Sequence, residues 1–181
     1  EQYKSYGIDA DIGFFYNDNI NDIKEYLFLR NIGYKIKPYN EVNEKLPFEI
    51  NLGVSQKLEN APITWHITLE NLQKWPIGLA NPSRIITDLD GNITEEKISF
   101  FNEILRHTII GVELFPDSIF KMQLGYSFRR SEELRILDQR NFSGISFGFG
   151  MKFNKLRFNY CHSRYSSASN VNFIGLQLDL N

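Results

Sequence analysis

Cysteine is almost absent: Cys161 is the single one in 181 residues. No internal disulfide can form, so nothing staples this chain covalently. No run of about 18 apolar residues occurs, which excludes a membrane-spanning helix. That absence leaves membrane strands open, because a barrel strand is apolar only at alternate residues. A mean hydropathy of −0.33 fits that pattern and an ordinary water-exposed domain alike. Basic excess is missing too. Lys and Arg total 20 against 22 Asp and Glu, for a formal net charge of −2. Nothing there points to nucleic acid. The first residue is Glu1 and no signal peptide follows, so the chain is expected to be processed, truncated or partly recorded.

What the chain has is aromatic residues, 15 Phe and 9 Tyr, set in period-2 alternation. Alternation of this kind is strand periodicity, since successive side chains point to opposite faces. From Pro47 to Ser55, Phe48, Ile50, Leu52 and Val54 share one face and Glu49, Asn51, Gly53 and Ser55 the other. Trp65, Ile67 and Leu69 continue the apolar face after Ile63. Met122 and Leu124, Phe147 and Phe149, Phe158, and Leu176 supply it in later segments. Weaker alternation covers Ile8 to Tyr16, Ile23 to Ile32 and Thr108 to Leu114. About nine strands of membrane length are expected.

The connections alternate in length. Asn17 to Asp22, Glu59 to Pro62, Pro116 to Ser118 and Asn154-Lys155 are short. Tyr34 to Lys45, Gln73 to Arg106, Arg130 to Phe142 and Arg164 to Asn170 are longer. Short turns at one end and long loops at the other are the outer-membrane barrel pattern. The expected fold is therefore all-β: a transmembrane antiparallel β-barrel, occupying residues 1–181 as a single C-terminal portion. Phe48, Ile50, Leu52, Val54, Trp65, Ile67, Leu69, Met122, Leu124, Phe147, Phe149, Phe158 and Leu176 would face lipid. Charge and glycine on the other face suit a lumen, although the outer face of a soluble β-sandwich explains them as well. An odd strand count conflicts with the even counts of bacterial single-chain barrels, so further N-terminal strands are expected.

No catalytic constellation stands out, and the chain reads as a non-enzyme. His66, His107 and His162 show no metal spacing, and Cys161 has no base nearby in sequence. Asp88 to Asn92 begins like a calcium loop, but Gly91 falls too early and Ile93 holds a ligand position, so a plain Asp-Gly turn is expected. No cofactor is expected. Within the longest loop, residues 95–105 suggest a short helix with Ile98, Phe101 and Leu105 along one stripe, packed on or into the barrel mouth. Arg129, Arg130, Arg135 and Arg140 could meet lipopolysaccharide phosphates. The interleaved Glu132, Glu133 and Asp138 favour a self-paired loop. For partner contacts, Trp75, Arg84, Phe100, Phe101, Arg130 and Arg135 are the expected anchors, because aromatic and Arg residues dominate binding hot spots.

Five stretches carry a family resemblance: residues 46–63 (LPFEINLGVSQKLENAPI), 69–75 (LENLQKW), 100–116 (FFNEILRHTIIGVELFP), 124–130 (LGYSFRR) and 144–160 (GISFGFGMKFNKLRFNY). They resemble the PorQ family, outer-membrane barrels of the type IX secretion system of Bacteroidetes. The resemblance implies a 14-stranded barrel of the fatty-acid-transporter type. It also implies a place in an attachment complex with a PorV-like barrel, a PorU-like sortase and a PorZ-like surface protein, in contact with outer-membrane lipid and lipopolysaccharide. The chain would then anchor the PorZ-like protein while the sortase joins cargo to lipopolysaccharide. Uptake of a hydrophobic small molecule and a soluble β-sandwich binding module are the two other functions the sequence leaves open.

Overall fold

The computed structural model describes residues 6–37, 45–81, 85–87, 93–94, 97–134, 142–164 and 169–179. Period-2 alternation becomes strands where expected. They are β1 (Tyr6–Asp18), β2 (Ile23–Lys37), β3 (Glu49–Lys57), β4 (Ile63–Leu69), β7 (Thr108–Leu114), β8 (Phe120–Ser127), β9 (Ile145–Phe153), β10 (Leu156–Arg164) and β11 (Asn170–Leu178). Between β4 and β7 lie a two-stranded ribbon, β5 (Ile86–Thr87) with β6 (Ile93–Thr94), and helix α1 (Phe100–His107). Helix α2 (Phe128–Glu133) follows β8 directly.

The nine long strands form one antiparallel sheet in the order β1-β2-β3-β4-β7-β8-β9-β10-β11. Each long strand thus pairs with its neighbours along the sequence. Short turns gather at one end of the sheet. The shortest is Asn154-Lys155, where Asn154 at φ 52 takes the left-handed conformation that a two-residue hairpin turn needs. The long connections gather at the other end.

The expected barrel is not what these strands build. β1 and β11 are the two ends of the strand order and do not pair with each other, so the sheet is open. The reason is directional. Nine alternating strands leave the first and last running the same way, so closure would need a parallel pair in an otherwise antiparallel sheet, and β1 and β11 do not form one. The strict two-sheet sandwich is not formed either, because the second sheet is only the short β5–β6 ribbon.

Register sorts the strand residues onto two faces. Leu52 lies opposite Leu69, Val54 opposite Ile67, Ile67 opposite Ile110, and Trp65 opposite Val112. Val112 lies opposite Leu124, Leu124 opposite Phe147, and Met122 opposite Phe149. Phe158 lies opposite Leu176. All the residues expected to face lipid in these strands therefore share one surface, and Phe48 just before β3 is exposed as well. Burial, however, favours the other surface. Gly53, Ser55, Gly148 and Gly150 are buried while Leu52, Ile67, Leu124 and Phe147 are exposed. Ile77 is the one buried apolar side chain among the described residues.

The small residues on the buried surface are there for space. At Gly53 a Cβ would overlap the Tyr26 ring, whose hydroxyl meets Thr68 Oγ1 at 2.6 Å. At Gly148 a Cβ would stand 2.7 Å from the Tyr160 carbonyl oxygen, a backbone atom that can move only by deforming the β9–β10 ladder. At Gly175 the nearest atom would be 3.4 Å away, ordinary contact. Gly148→Ala is expected to destabilise the fold by about 1–3 kcal/mol. Gly175→Ala should stay within about 0.5 kcal/mol of the parent. Urea unfolding midpoints of the two variants measure the contrast.

Candidate functional site

The long-connection end of the sheet carries a cap built from residues 70–81, α1 and α2. Helix α1 starts at Ser99, whose hydroxyl accepts from the Asn102 N–H at 3.3 Å. The start lies later than the sequence pattern suggests because Ser99 is the capping residue. Its buried side is also different from the expected apolar stripe. Glu103, Arg106 and His107 face inward, while Phe100 and Phe101 are exposed. The inward positions follow three- and four-residue spacing, but with polar side chains.

Each of those inward groups has a definite partner. Glu103 Oε1 accepts from the backbone N–H groups of Ile77 and Gly78, the latter at 2.8 Å. A Cβ on Gly78 would sit 2.8 Å from both the Glu103 carboxylate and the Arg106 side chain, so glycine lets the segment lie against α1. Arg106 Nη1 is 3.6 Å from Glu133 Oε1 on α2, an ion pair rather than a hydrogen bond. Glu133 also pairs with Arg129 at 3.3 Å and accepts from the Leu79 N–H at 3.2 Å. The Asn81 amide donates to the Glu132 carbonyl at 2.8 Å.

His107 is the centre of the cap and only 1% exposed. Its Nδ1 lies 2.6 Å from the Glu70 carbonyl oxygen and its Nε2 lies 2.9 Å from that of Trp75. Both partners are acceptors. A neutral imidazole donates to one of them, and only the imidazolium donates to both. The Trp75 ring stacks on the same imidazole at 5.0 Å and contacts the Phe100 ring at 5.5 Å.

The cap therefore brings together Trp75, Phe100 and Phe101 from the set of expected anchors. Trp75 is 44%, Phe100 70% and Phe101 66% exposed. Arg130 is placed differently: its Nη1 donates to Ser163 Oγ on β10 at 3.2 Å. Arg84 and Arg135 lie outside the described residues, as do Arg140 and the Asp88 to Asn92 turn. Sequence reasoning passed over His107, Glu103 and Arg106 as functional organisers. Their one visible signal was charge recurring at helical spacing beside the aromatic pair Phe100-Phe101.

A second polar cluster lies on the small-residue surface of the sheet. Lys121 Nζ is 3.4 Å from Glu113 Oε2, which also accepts from the Gln123 amide. His66 and Thr68 border the same open hollow of about 270 Å³ with Tyr26 and Gly111. Cys161 is exposed on β10, opposite Gly148 and Phe173 in register. His162 Nδ1 contacts Asn172 Oδ1 at 2.8 Å. Among the described residues no three His, Cys, Asp or Glu side chains are grouped to hold a metal ion. No helix among them is long and apolar enough to cross a membrane.

No protein-family model, no curated protein and no solved structure matches this chain. The resemblance to the PorQ family is therefore not sustained. With it fall the 14-stranded barrel, the anchoring role in the type IX attachment complex and the outer-membrane location. The open sheet removes the architectural support for them, and the comparisons supply no relative to restore it. The stretches that carried the resemblance are aromatic-glycine strands and turns, a composition that any curved antiparallel sheet favours.

Two groups give the cap and the sheet opposite pH responses. Burial pushes the Glu70 carboxyl above its ordinary 4.5, outweighing the pull of Arg129 and Arg130. Burial pushes the His66 imidazole below its ordinary 6.5, outweighing the attraction of Glu113. As pH rises past 4.5, unfolded Glu70 ionises before folded Glu70, so stability falls until the folded group ionises too. As pH drops past 6.5, unfolded His66 takes up its proton first, so stability is lost on acidification. Urea unfolding across these windows should show Glu70→Gln removing the first loss and His66→Gln the second.

His107→Phe keeps an aromatic ring beneath Trp75 but removes the imidazole N–H that the Glu70 and Trp75 carbonyls flank. A buried carbonyl orphaned in this way costs roughly 1–3 kcal/mol. Hydrogen exchange at residues 70–81 should accelerate in that variant, with β9 and β10 unchanged.

Proposed function

We propose that this chain is a non-enzymatic, β-sheet-based binding module that holds a protein partner through the aromatic patch on its capped end. One observation carries the reading. Trp75 and Phe100 stand exposed and ring against ring on a platform held by the hydrogen bonds of Glu103 and His107 and the Arg106–Glu133 ion pair. A rigid aromatic anchor loses little conformational freedom on binding, so more of its contact energy becomes affinity. His107 fixes Trp75 twice, through the carbonyl bond and through the stacked ring. Ser99 fixes the start of the helix that carries Phe100 and Phe101. Phe101, next along the helix, is exposed as well. The fitting partner is a protein surface with an aliphatic or aromatic recess.

The same commitments argue against catalysis. Acid–base chemistry needs a group able to reach a substrate proton. In the cap, Glu103 is bound to two backbone N–H groups, Arg106 to Glu133, and His107 to two carbonyls. These side chains shape a surface. With a net charge of −2, the chain offers no general attraction for nucleic acid.

A photo-crosslinking residue at Phe101, in the cells that make the protein, is expected to trap one discrete protein. The adduct should disappear when Trp75→Ala and Phe100→Ala are added. The same probe at Lys155, in the hairpin turn at the far end, should trap none of it. Equal adducts from both ends, or an adduct indifferent to the double substitution, would overturn the reading.

A further inference from the structure

Among the described residues, β11 is an edge strand of the sheet and carries none of the usual edge-protecting features. Its nine residues, Asn170–Leu178, contain no Lys, Arg, Asp, Glu or Pro. Its pairing with β10 runs from Arg164↔Asn170 to Leu156↔Leu178 without a bulge. Its outer side therefore presents a regular row of backbone donors and acceptors, flanked by exposed Phe173, Ile174, Leu176 and Leu178. Edges of this kind recruit another strand, and proteins that avoid recruitment use charge, proline or bulges. The opposite edge does so. β1 has register breaks at Tyr6/Gly7 and Ala10/Ile12, and it carries Asp9, Asp11 and Asp18.

We infer that β11 is a self-association edge, through which two copies of this chain join as a symmetric antiparallel dimer. Three features select a second copy as the occupant. The first is direction. β1 and β11 run the same way in the sheet, so joining β11 of one copy to β1 of another would make a parallel pair in an otherwise antiparallel sheet. A two-fold axis through β11 gives an antiparallel pair from one surface used twice. The second is charge. Identical edges meet without penalty only where they carry none, and β11 carries none, whereas a two-fold contact through β1 would set aspartates near their own copies.

The third feature is apolar exposure. Phe173 is 66%, Ile174 64%, Leu176 70% and Leu178 60% exposed, surface that a second β11 laid alongside would partly cover. Side-chain fit places the axis at Ile174. Ile174 then faces its own copy, Asn172 faces Leu176, and Asn170 faces Leu178. On the other surface Phe173 comes opposite Gly175 of the second copy.

This inference goes beyond the cap reading, and the two can fail separately, because β11 shares no residue with the aromatic patch. The test uses the full chain. Sedimentation over micromolar concentrations is expected to show a monomer–dimer equilibrium. Ile174→Lys, which sets like charges face to face, should raise the dimer dissociation constant at least tenfold. Ile12→Lys, in the opposite edge, should leave it unchanged. In a Cys161→Ser background, oxidised Ile174→Cys should crosslink to its own copy while Asn170→Cys should not. Hydrogen exchange in β10 confirms that each variant keeps its sheet. A monomer at every concentration, a dimer insensitive to Ile174→Lys, or equal crosslinking at both cysteines would refute the inference. So would flotation of the monomer with phosphatidylcholine–phosphatidylglycerol vesicles in place of dimer formation, which would make lipid the occupant.

Discussion

The antiparallel hydrogen-bond ladder is the interaction on which this structure depends. Among the described residues, Ile77 is the single buried apolar side chain, so no apolar core holds the strands together. Cohesion comes from backbone pairing along β1 to β11 and from cross-strand pairs such as Leu124–Phe147 and Phe158–Leu176. Such pairs contribute roughly 0.2–1 kcal/mol each. A ladder of this kind tolerates change at exposed positions and resists it where backbones are close. That is why Gly53 and Gly148 stand where a Cβ would strike the Tyr26 ring and the Tyr160 carbonyl. The small surface lies inward as a consequence of those contacts, and the bulky apolar residues point outward.

The cap solves a separate physical problem. A chain that leaves β4 and returns as β7 must satisfy the polar backbone of residues 70–81 against the sheet end. Buried polar groups are costly without partners. Two side chains of one short helix supply those partners, Glu103 at the N–H groups of Ile77 and Gly78 and His107 at the carbonyls of Glu70 and Trp75, while Arg106 ties the helix to Glu133. The helix is thus anchored by charge and hydrogen bonding, and its aromatic residues are released to the surface. One arrangement accounts for both the rigidity of the cap and the exposure of Trp75 and Phe100.

The strands were legible in the sequence because period 2 is a local signal. Phe147 to Phe153 or Phe120 to Ser127 reads as a strand from its own residues. The alternation of short and long connections was legible for the same reason. Closure was not, because whether β1 meets β11 depends on partners about 160 residues apart. Alternation also does not state which surface is buried: Phe147 and Gly148 mark two faces without saying which lies inward. The helix near Phe100 was found, but its stripe was assigned to Ile98, Phe101 and Leu105 because apolar spacing dominates such readings. The opposite assignment needs the backbone carbonyls of Glu70 and Trp75, which no side-chain pattern displays. Helix α2 was missed altogether, since six residues are too few for a periodic signal.

Each long strand lies beside its neighbour in the sequence, and one of these junctions is a two-residue turn. Little chain entropy is lost when such neighbours meet. The sheet can therefore assemble as a zipper, one hairpin templating the next, with energies that sum over adjacent pairs as in repeat proteins. The hairpin then becomes the natural unit of evolutionary gain and loss. A duplicated β9–β10 pair would lengthen the sheet without disturbing its distant half, and its polarity would be preserved.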